Sequence, residues 1–178
     1  MTDARNYRVT ETLRNGVEIC IRSARPDDTD RLVEAFHELD PASVYLRFFS
    51  AKKELSAAEL QRFREMDFRT RVVLFGTAQR DGREIIIASG TYIRDGEDAA
   101  EVAFVVEEDY HGLGIARRLL QHLATIAVDA GVRRFTAEVL PHNAAMLSVF
   151  ERCGWPVRTR NDHGVMHVDL VLDKTGPG

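Results

Sequence analysis

The sequence predicts an α/β domain built on one mixed, mostly antiparallel sheet with helices on both faces. Three observations carry that expectation. Apolar strand-like runs in the middle of the chain are joined by Asp-Gly pairs. A strongly amphipathic helix stands between two further strand patterns. The elements read in the order β-α-α-β-β-β-α-β-α-β.

The elements justify themselves in turn. Val17 to Ser23 (VEICIRS) alternates apolar and polar residues as a strand does. After Pro26, the residues Leu32, Val33, Phe36 and Leu39 recur at helical spacing in a helix that ends before Pro41. Ser43–Phe49 has aromatics on two faces and fits either a helix or a loop. Ser56 precedes Glu59 by three residues, the capping-box spacing, and opens a helix to about Met66. Val72–Ala78 and Glu84–Ile93 form a hairpin across Asp81-Gly82, because this pair tolerates the positive φ angles of a tight turn. Asp95-Gly96 leads to a third strand, Glu101–Val106. The helix Ala116–Ala130 follows, with Leu119, Leu120, Leu123, Ile126 and Ala127 on one face and Gly131 as its stop. Phe135–Leu140 is a strand, Asn143–Arg152 a short helix stopped by Gly154, and Val165–Leu172 the last strand. The strand–helix–strand at 101–140 implies one parallel crossover.

Composition limits the function classes. The 178 residues are 44% hydrophobic and 29% charged, the profile of a globular domain. A chain of this size buries about 70% of its unfolded surface and needs no metal or disulfide staple. Cys20 and Cys153 form no spacing motif, so a disulfide framework and a zinc finger are excluded. The net charge of −4 argues against a nucleic-acid partner. Runs such as Ile85–Ala88 are too short to cross a bilayer, and Met1–Asn6 lacks the apolar core of a signal peptide. The expectation is a cytoplasmic protein: an N-terminal extension over 1–15, one domain over 16–173 and a flexible tail over 174–178.

The densest chemical signal is Tyr110-His111-Gly112-Leu113-Gly114-Ile115-Ala116-Arg117-Arg118. Glycines between a strand and a helix start let backbone N–H groups converge on an anion, and the helix dipole adds partial positive charge. A pyrophosphate fits such a turn. The Walker loop is excluded for want of Gly-Lys-Ser/Thr. The dinucleotide fingerprint is excluded because Ala116 stands only two residues past Gly114, and Glu138 lies within the next strand.

His111-Gly112-Leu113-Gly114-Ile115-Ala116 resembles the Gln/Arg-x-x-Gly-x-Gly/Ala loop of the GNAT N-acetyltransferase superfamily. The preceding AFVV strand, the Leu-rich helix, the FTAEVL strand and the helix from Asn143 to Gly154-Trp155 match as well. Tyr45–Ser50 (YLRFFS), Ala100–Phe104 (AEVAF) and Glu138–Pro141 (EVLP) resemble more narrowly the bacterial Pat-type protein lysine acetyltransferases.

The resemblance implies acetyl-CoA as cofactor, held where the strand before the loop splays from the strand after the helix. Backbone groups of Phe104, Val105 and Val106 would meet the pantetheine and thioester. His111, Gly112, Leu113, Gly114, Ile115, Ala116 and Arg117 would hold the pyrophosphate, and Asn143 the pantetheine arm. An N–H near Val106 would polarise the thioester carbonyl. It implies Glu101 as general base, with Glu138 as runner-up; from the residues alone, Glu101 also reads as a solvated acid at a strand entrance. His111 departs from the usual Gln or Arg, and its backbone can still serve the loop. Phe150 stands where many GNAT enzymes place a tyrosine acid, so the thiolate would leave unassisted or through water.

Other candidates carry less. Cys153 has no adjacent base. His163 and His167 are too few for zinc, and no metal is expected. Tyr45, Phe48 and Phe49 suit either a substrate entrance or packing. Glu107-Glu108-Asp109 suits a solvated turn or a basic protein surface. The resemblance therefore implies transfer to a protein lysine in a ternary complex, with acetyl-CoA synthetase as first candidate. The alternatives are a small-molecule amine acetyltransferase and a non-catalytic acyl-CoA-binding sensor. Pat-type enzymes often carry a fused regulatory domain; with no room for one here, such control is expected in trans or not at all.

Overall fold

In a computed structural model, residues 2–172 are described, and the tail expected over 174–178 lies outside them. Eight strands form one sheet in the order β1-β2-β3-β4-β5-β6-β8-β7. They are β1 (Arg8–Thr12), β2 (Glu18–Ser23), β3 (Arg71–Arg80), β4 (Arg83–Arg94), β5 (Ala99–Val106), β6 (Arg134–Val139), β7 (Val157–Asp162) and β8 (Val165–Val171). The helices are α1 (Thr29–Glu38), α2 (Pro41–Phe48), α3 (Ala57–Arg64), α4 (Ile115–Asp129) and α5 (Ala144–Glu151). Every pairing is antiparallel except β5 with β6, the expected crossover around α4.

Local chemistry explains the boundaries. Asp81 (φ 53°) and Gly82 (φ 77°) both lie in the left-handed region, the geometry a two-residue hairpin needs. Ser56 and Glu59 close the capping box that starts α3. Segment 41–48 resolves as helix because Pro41 sits in its first turn, where a missing N–H costs nothing.

Two strands differ from the expectation. Arg8–Thr12 pairs along β2, so segment 1–15 contributes an edge strand to the sheet and is no separate extension. Its half-buried alternation is the weak pattern of an edge. Val157–Asp162 (VRTRND) pairs with β8 and is almost wholly exposed, so it shows no apolar period. β1 is also tied to α4 by side chains. Glu11 accepts from Arg118 and bonds to His122, both at 2.7 Å, and His122 meets the Tyr7 hydroxyl.

The larger core lies between α4 and the sheet, where Leu119, Leu120 and Leu123 are fully buried against Ile87, Tyr92 and Phe104. Gly90 permits that contact, since a Cβ there would sit 3.1 Å from the Phe104 ring and 3.2 Å from Leu119. A smaller core of Phe63, Met66, Val73, Phe75 and Ile86 lies beneath α1 and α3.

One buried ion network joins β2 to the start of α1 and to β4. Arg22 makes a bidentate pair with Asp28, both bonds at 2.8 Å, and a second pair with Glu84 at 3.0 and 3.2 Å. Burial pushes the Asp28 carboxyl up, but hydrogen bonds from Arg22 and the Arg25 N–H overcome this and hold it below the usual range. A depressed folded-state value contributes stability above the unfolded value, near 3.9, that is lost as pH falls through the folded value. Asp28→Ala leaves Arg22 buried beside Glu84 alone and is expected to cost about 3–5 kcal/mol in urea unfolding. The variant should also lose stability less steeply than the native protein below about pH 4, a comparison made by repeating the titration across pH.

Candidate functional site

The site begins where β5 and β6 part. Their parallel pairing holds for Ala99, Ala100 and Glu101 against Arg134, Phe135 and Thr136, and then ends. The Glu107 N–H bonds to Ile87 O at 2.8 Å, which places the backbone groups of odd-numbered β5 residues on the β4 side. Phe104 and Val106 therefore turn theirs into the fork, whereas the backbone of Val105 belongs to the ladder with β4. Of the three residues expected to offer backbone groups there, two do. Val105 lines the same groove without offering its N–H.

The turn after β5 is anchored by a contact the sequence did not reveal. His111 Nε2 lies 2.7 Å from the Val106 carbonyl. A carbonyl only accepts, so the ring donates from Nε2. His111 thus ties the turn to the end of β5 and leaves the Val106 N–H directed into the fork. Gly112 (φ 77°) and Gly114 (φ 81°) take left-handed conformations that side chains disfavour. Gly114 is the N-cap of α4, and no side chain caps that end. No acid stands in the first turn of α4, so its N–H groups remain for an anion.

A groove of about 380 Å³ runs from this turn into the fork. It is lined by Phe104, Val105, Val106, His111, Gly112, Gly114, Ile115, Ala116, Arg117 and Asn143, ten of the eleven residues expected at the cofactor. The eleventh, Leu113, is not among the lining residues and packs against the core, as an apolar side chain in a tight turn can. Arg118, which ends the Tyr110–Arg118 run, is committed to Glu11. Arg14, Arg47 and Arg152 line the groove instead. Arg47 and Arg152 stood in stretches the sequence singled out, though not as site residues; Arg14 reaches the site from the β1–β2 turn. Asn143 accepts from the Met146 N–H as the N-cap of α5, which leaves its amide NH₂ for a ligand.

Glu101 lies at the last paired position before the fork. It lines an open surface groove with Asp95, Glu138, Asp169, Arg158 and His167. Partial desolvation, then the neighbouring charge of Glu138, raise its carboxyl above the usual range, against a smaller pull from Arg47. Glu138 lines both this groove and the narrow gap within the fork. Phe150 is buried against Phe104, with ring centroids 6.3 Å apart, so α5 brings no phenol to the fork. Cys153 is buried, and burial pushes its thiol up, which opposes a nucleophilic role. His163 stands in the β7–β8 turn, and no metal-binding cluster occurs among the described residues. Tyr45 is exposed, while Phe48 packs edge-on against Phe36. No helix among the described residues is long and apolar enough to cross a membrane.

The donor set is backbone N–H groups in a glycine turn, flanking arginines, and two free backbone positions in an apolar fork. It suits a polyanion carrying an extended amide arm. The comparisons agree with that reading. The acetyltransferase (GNAT) family model matches residues 31–155. Acetyltransferase Pat of Mycolicibacterium smegmatis is 34% identical over 160 residues, which are 89% of this chain and 47% of that protein. This chain therefore spans about half the length of that relative. The solved GNAT domain of S. lividans PAT superposes with a TM-score of 0.84 at 36% identity, covering 93% of this chain and 97% of that one. A cAMP-binding acyltransferase from Mycobacterium smegmatis superposes at 0.66 with 28% identity, over 96% of this chain and 48% of its own. The glycine turn, the fork and these matches converge, and the chain belongs to the GNAT acetyltransferase family, whose cofactor is acetyl-CoA.

Proposed function

We propose that the protein transfers the acetyl group of acetyl-CoA to the ε-amine of a protein lysine. Acyl-CoA synthetases of the acetyl-CoA synthetase kind are the first candidate partners. The observation that carries this reading is the position of Glu101. It stands at the closed end of the fork, the last paired position before the strands part, and lines an open, acid-bearing surface. An open surface admits a protein loop, and Asp95, Glu101, Glu138 and Asp169 outnumber Arg158 and Arg160 in its lining, which favours a cationic side chain. The Pat-named relatives support the same acceptor class. The free thiols of Cys20 and Cys153 accord with a reducing, cytoplasmic compartment.

In this reading Gly112, Gly114, Ile115, Ala116 and Arg117 hold the pyrophosphate. The Asn143 amide and the backbone of Phe104 hold the amide arm. When bound, the donor supplies a thioester carbonyl activated for acyl transfer. The Val106 N–H polarises that carbonyl as charge develops on its oxygen. A lysine arrives protonated, with an ordinary value near 10.4. Glu101 takes the ammonium proton through bridging water, and its raised value makes it a better base than an ordinary carboxylate. The freed amine forms the new C–N bond as the C–S bond breaks, and the thiolate leaves without help from a protein phenol. With Cys153 buried and its thiol pushed up, transfer is direct.

Four outcomes test this. Glu101→Gln should keep acetyl-CoA affinity in calorimetry and lower the transfer rate about 10²–10⁴-fold, with Glu138→Gln costing far less; an unchanged rate removes Glu101 from the mechanism. The native pH profile should rise on a limb above the ordinary carboxylate range, and that limb should vanish in Glu101→Gln. Gly114→Ala should weaken acetyl-CoA binding about 5–30-fold, because a side chain at that φ costs about 1–2 kcal/mol. Labelled acetyl-CoA incubated with host lysate decides the acceptor. Label in the protein fraction supports the reading, and label only in small molecules transfers it to a metabolite amine.

A further inference from the structure

The sheet face opposite α4 is incompletely filled. Between α1, α2, α3 and strands β3–β5 lies a pocket of about 130 Å³, walled by apolar side chains such as Leu39, Phe48, Leu60 and Phe75. An apolar cavity of about 150 Å³ takes up benzene, so a body of that size fits here. Its chemistry is not purely apolar, because two guanidinium groups line it, Arg47 from α2 and Arg71 from β3.

Neither is satisfied within the protein. Arg71 Nε is buried and has no hydrogen-bond partner. Among the described residues, neither guanidinium makes an ion pair or a side-chain hydrogen bond; Arg47 only stacks 4.8 Å from the centre of the Phe48 ring. The two charges also oppose each other. Burial and then the charge of Arg71 weaken the hold of Arg47 on its proton, and burial followed by Arg62 does the same to Arg71. Glu101 and Glu59 act on Arg47, and Glu59 on Arg71, only through space, with no ion pair formed. Glu59 is 2.5 Å from Lys52 and caps the Ser56 N–H, and Glu107 accepts from the Asp109 N–H. Two unpaired like charges in an apolar pocket are a costly arrangement that an anion relieves. A planar carboxylate matches the guanidinium fork, and an acid that carries one can bring an apolar body for the aromatic wall.

We propose that this pocket binds the carboxylate of a small acid between Arg47 and Arg71, with the acid's apolar body against the aromatic wall. Arg47 also lines the donor groove and the gap within the fork, so the two sites share a wall. The carboxylate can therefore arrive as a free acid or as the far end of a dicarboxylic acyl chain on the donor.

The test is calorimetric and does not use acetyl transfer. Benzoate and hexanoate are titrated into the full chain beside benzamide and hexanamide, their neutral counterparts. At least one acid should bind ten-fold or more tightly than its amide. Arg71→Gln and, independently, Arg47→Gln should each bring the acid down to the level of the amide, with circular dichroism confirming that both variants fold. Glutaryl-CoA then separates the sources. Its displacing the acid where acetyl-CoA does not assigns the pocket to the acyl chain, and simultaneous binding assigns it to a free acid. No acid binding better than its amide, or acid binding that survives both substitutions, overturns the proposal.

Discussion

The parting of β5 from β6 after the Glu101–Thr136 pair is the constraint on which the rest of the site depends. A sheet interior normally satisfies every backbone N–H and C=O, and leaving such groups unpaired is expensive unless something else meets them. Here the interruption is confined to one parallel pair inside an otherwise continuous eight-stranded sheet. The strands on either side hold the two edges of the fork rigidly. The ladder to β4 occupies one side of β5, and β8 occupies the outer side of β6. The open backbone positions of Phe104 and Val106 are therefore a built feature, the kind of free edge with which an extended amide pairs.

Everything else at the site is arranged around that opening. The His111 ring fastens the glycine turn to the Val106 carbonyl, at the end of β5. Glu11 draws Arg118 to the β1 edge, while Arg14, Arg117 and Arg152 stay at the groove. The acids gather at the opposite end, around Glu101. The glycine-turn end thus carries arginines, and carboxylates outnumber arginines at the other. Glu101 gains from both neighbours. Glu138 disfavours its ionised form, and Arg47 limits that shift, which leaves a carboxylate that is more basic and still ionisable.

Much of this was legible in the sequence, and the parts that were not have physical reasons. The hairpin at Asp81-Gly82, the capping box at Ser56 and the amphipathic α4 are local features, each specified by a few neighbouring residues. The glycine turn was legible for the same reason, since positive φ at Gly112 and Gly114 is a backbone requirement visible in residue type. β1 and β7 escaped because edge strands bury little and show weak alternation. The alternation that separates Val105 from Phe104 and Val106 depends on strand register, which composition does not encode. Arg14 and Arg152 reach the groove from distant segments, and Leu113 turns inward, so only the folded chain sorts them. The unpaired state of Arg47 and Arg71 is likewise a property of the packing around them.

The most direct test of the account is amide hydrogen exchange, resolved residue by residue, with and without saturating acetyl-CoA. The open fork predicts slowed exchange at Phe104, Val106 and the 112–117 turn, while Ala103 and Val105, already in the ladder with β4, stay unchanged. Protection absent from Phe104 and Val106, or appearing only on the α1–α3 face, would contradict it.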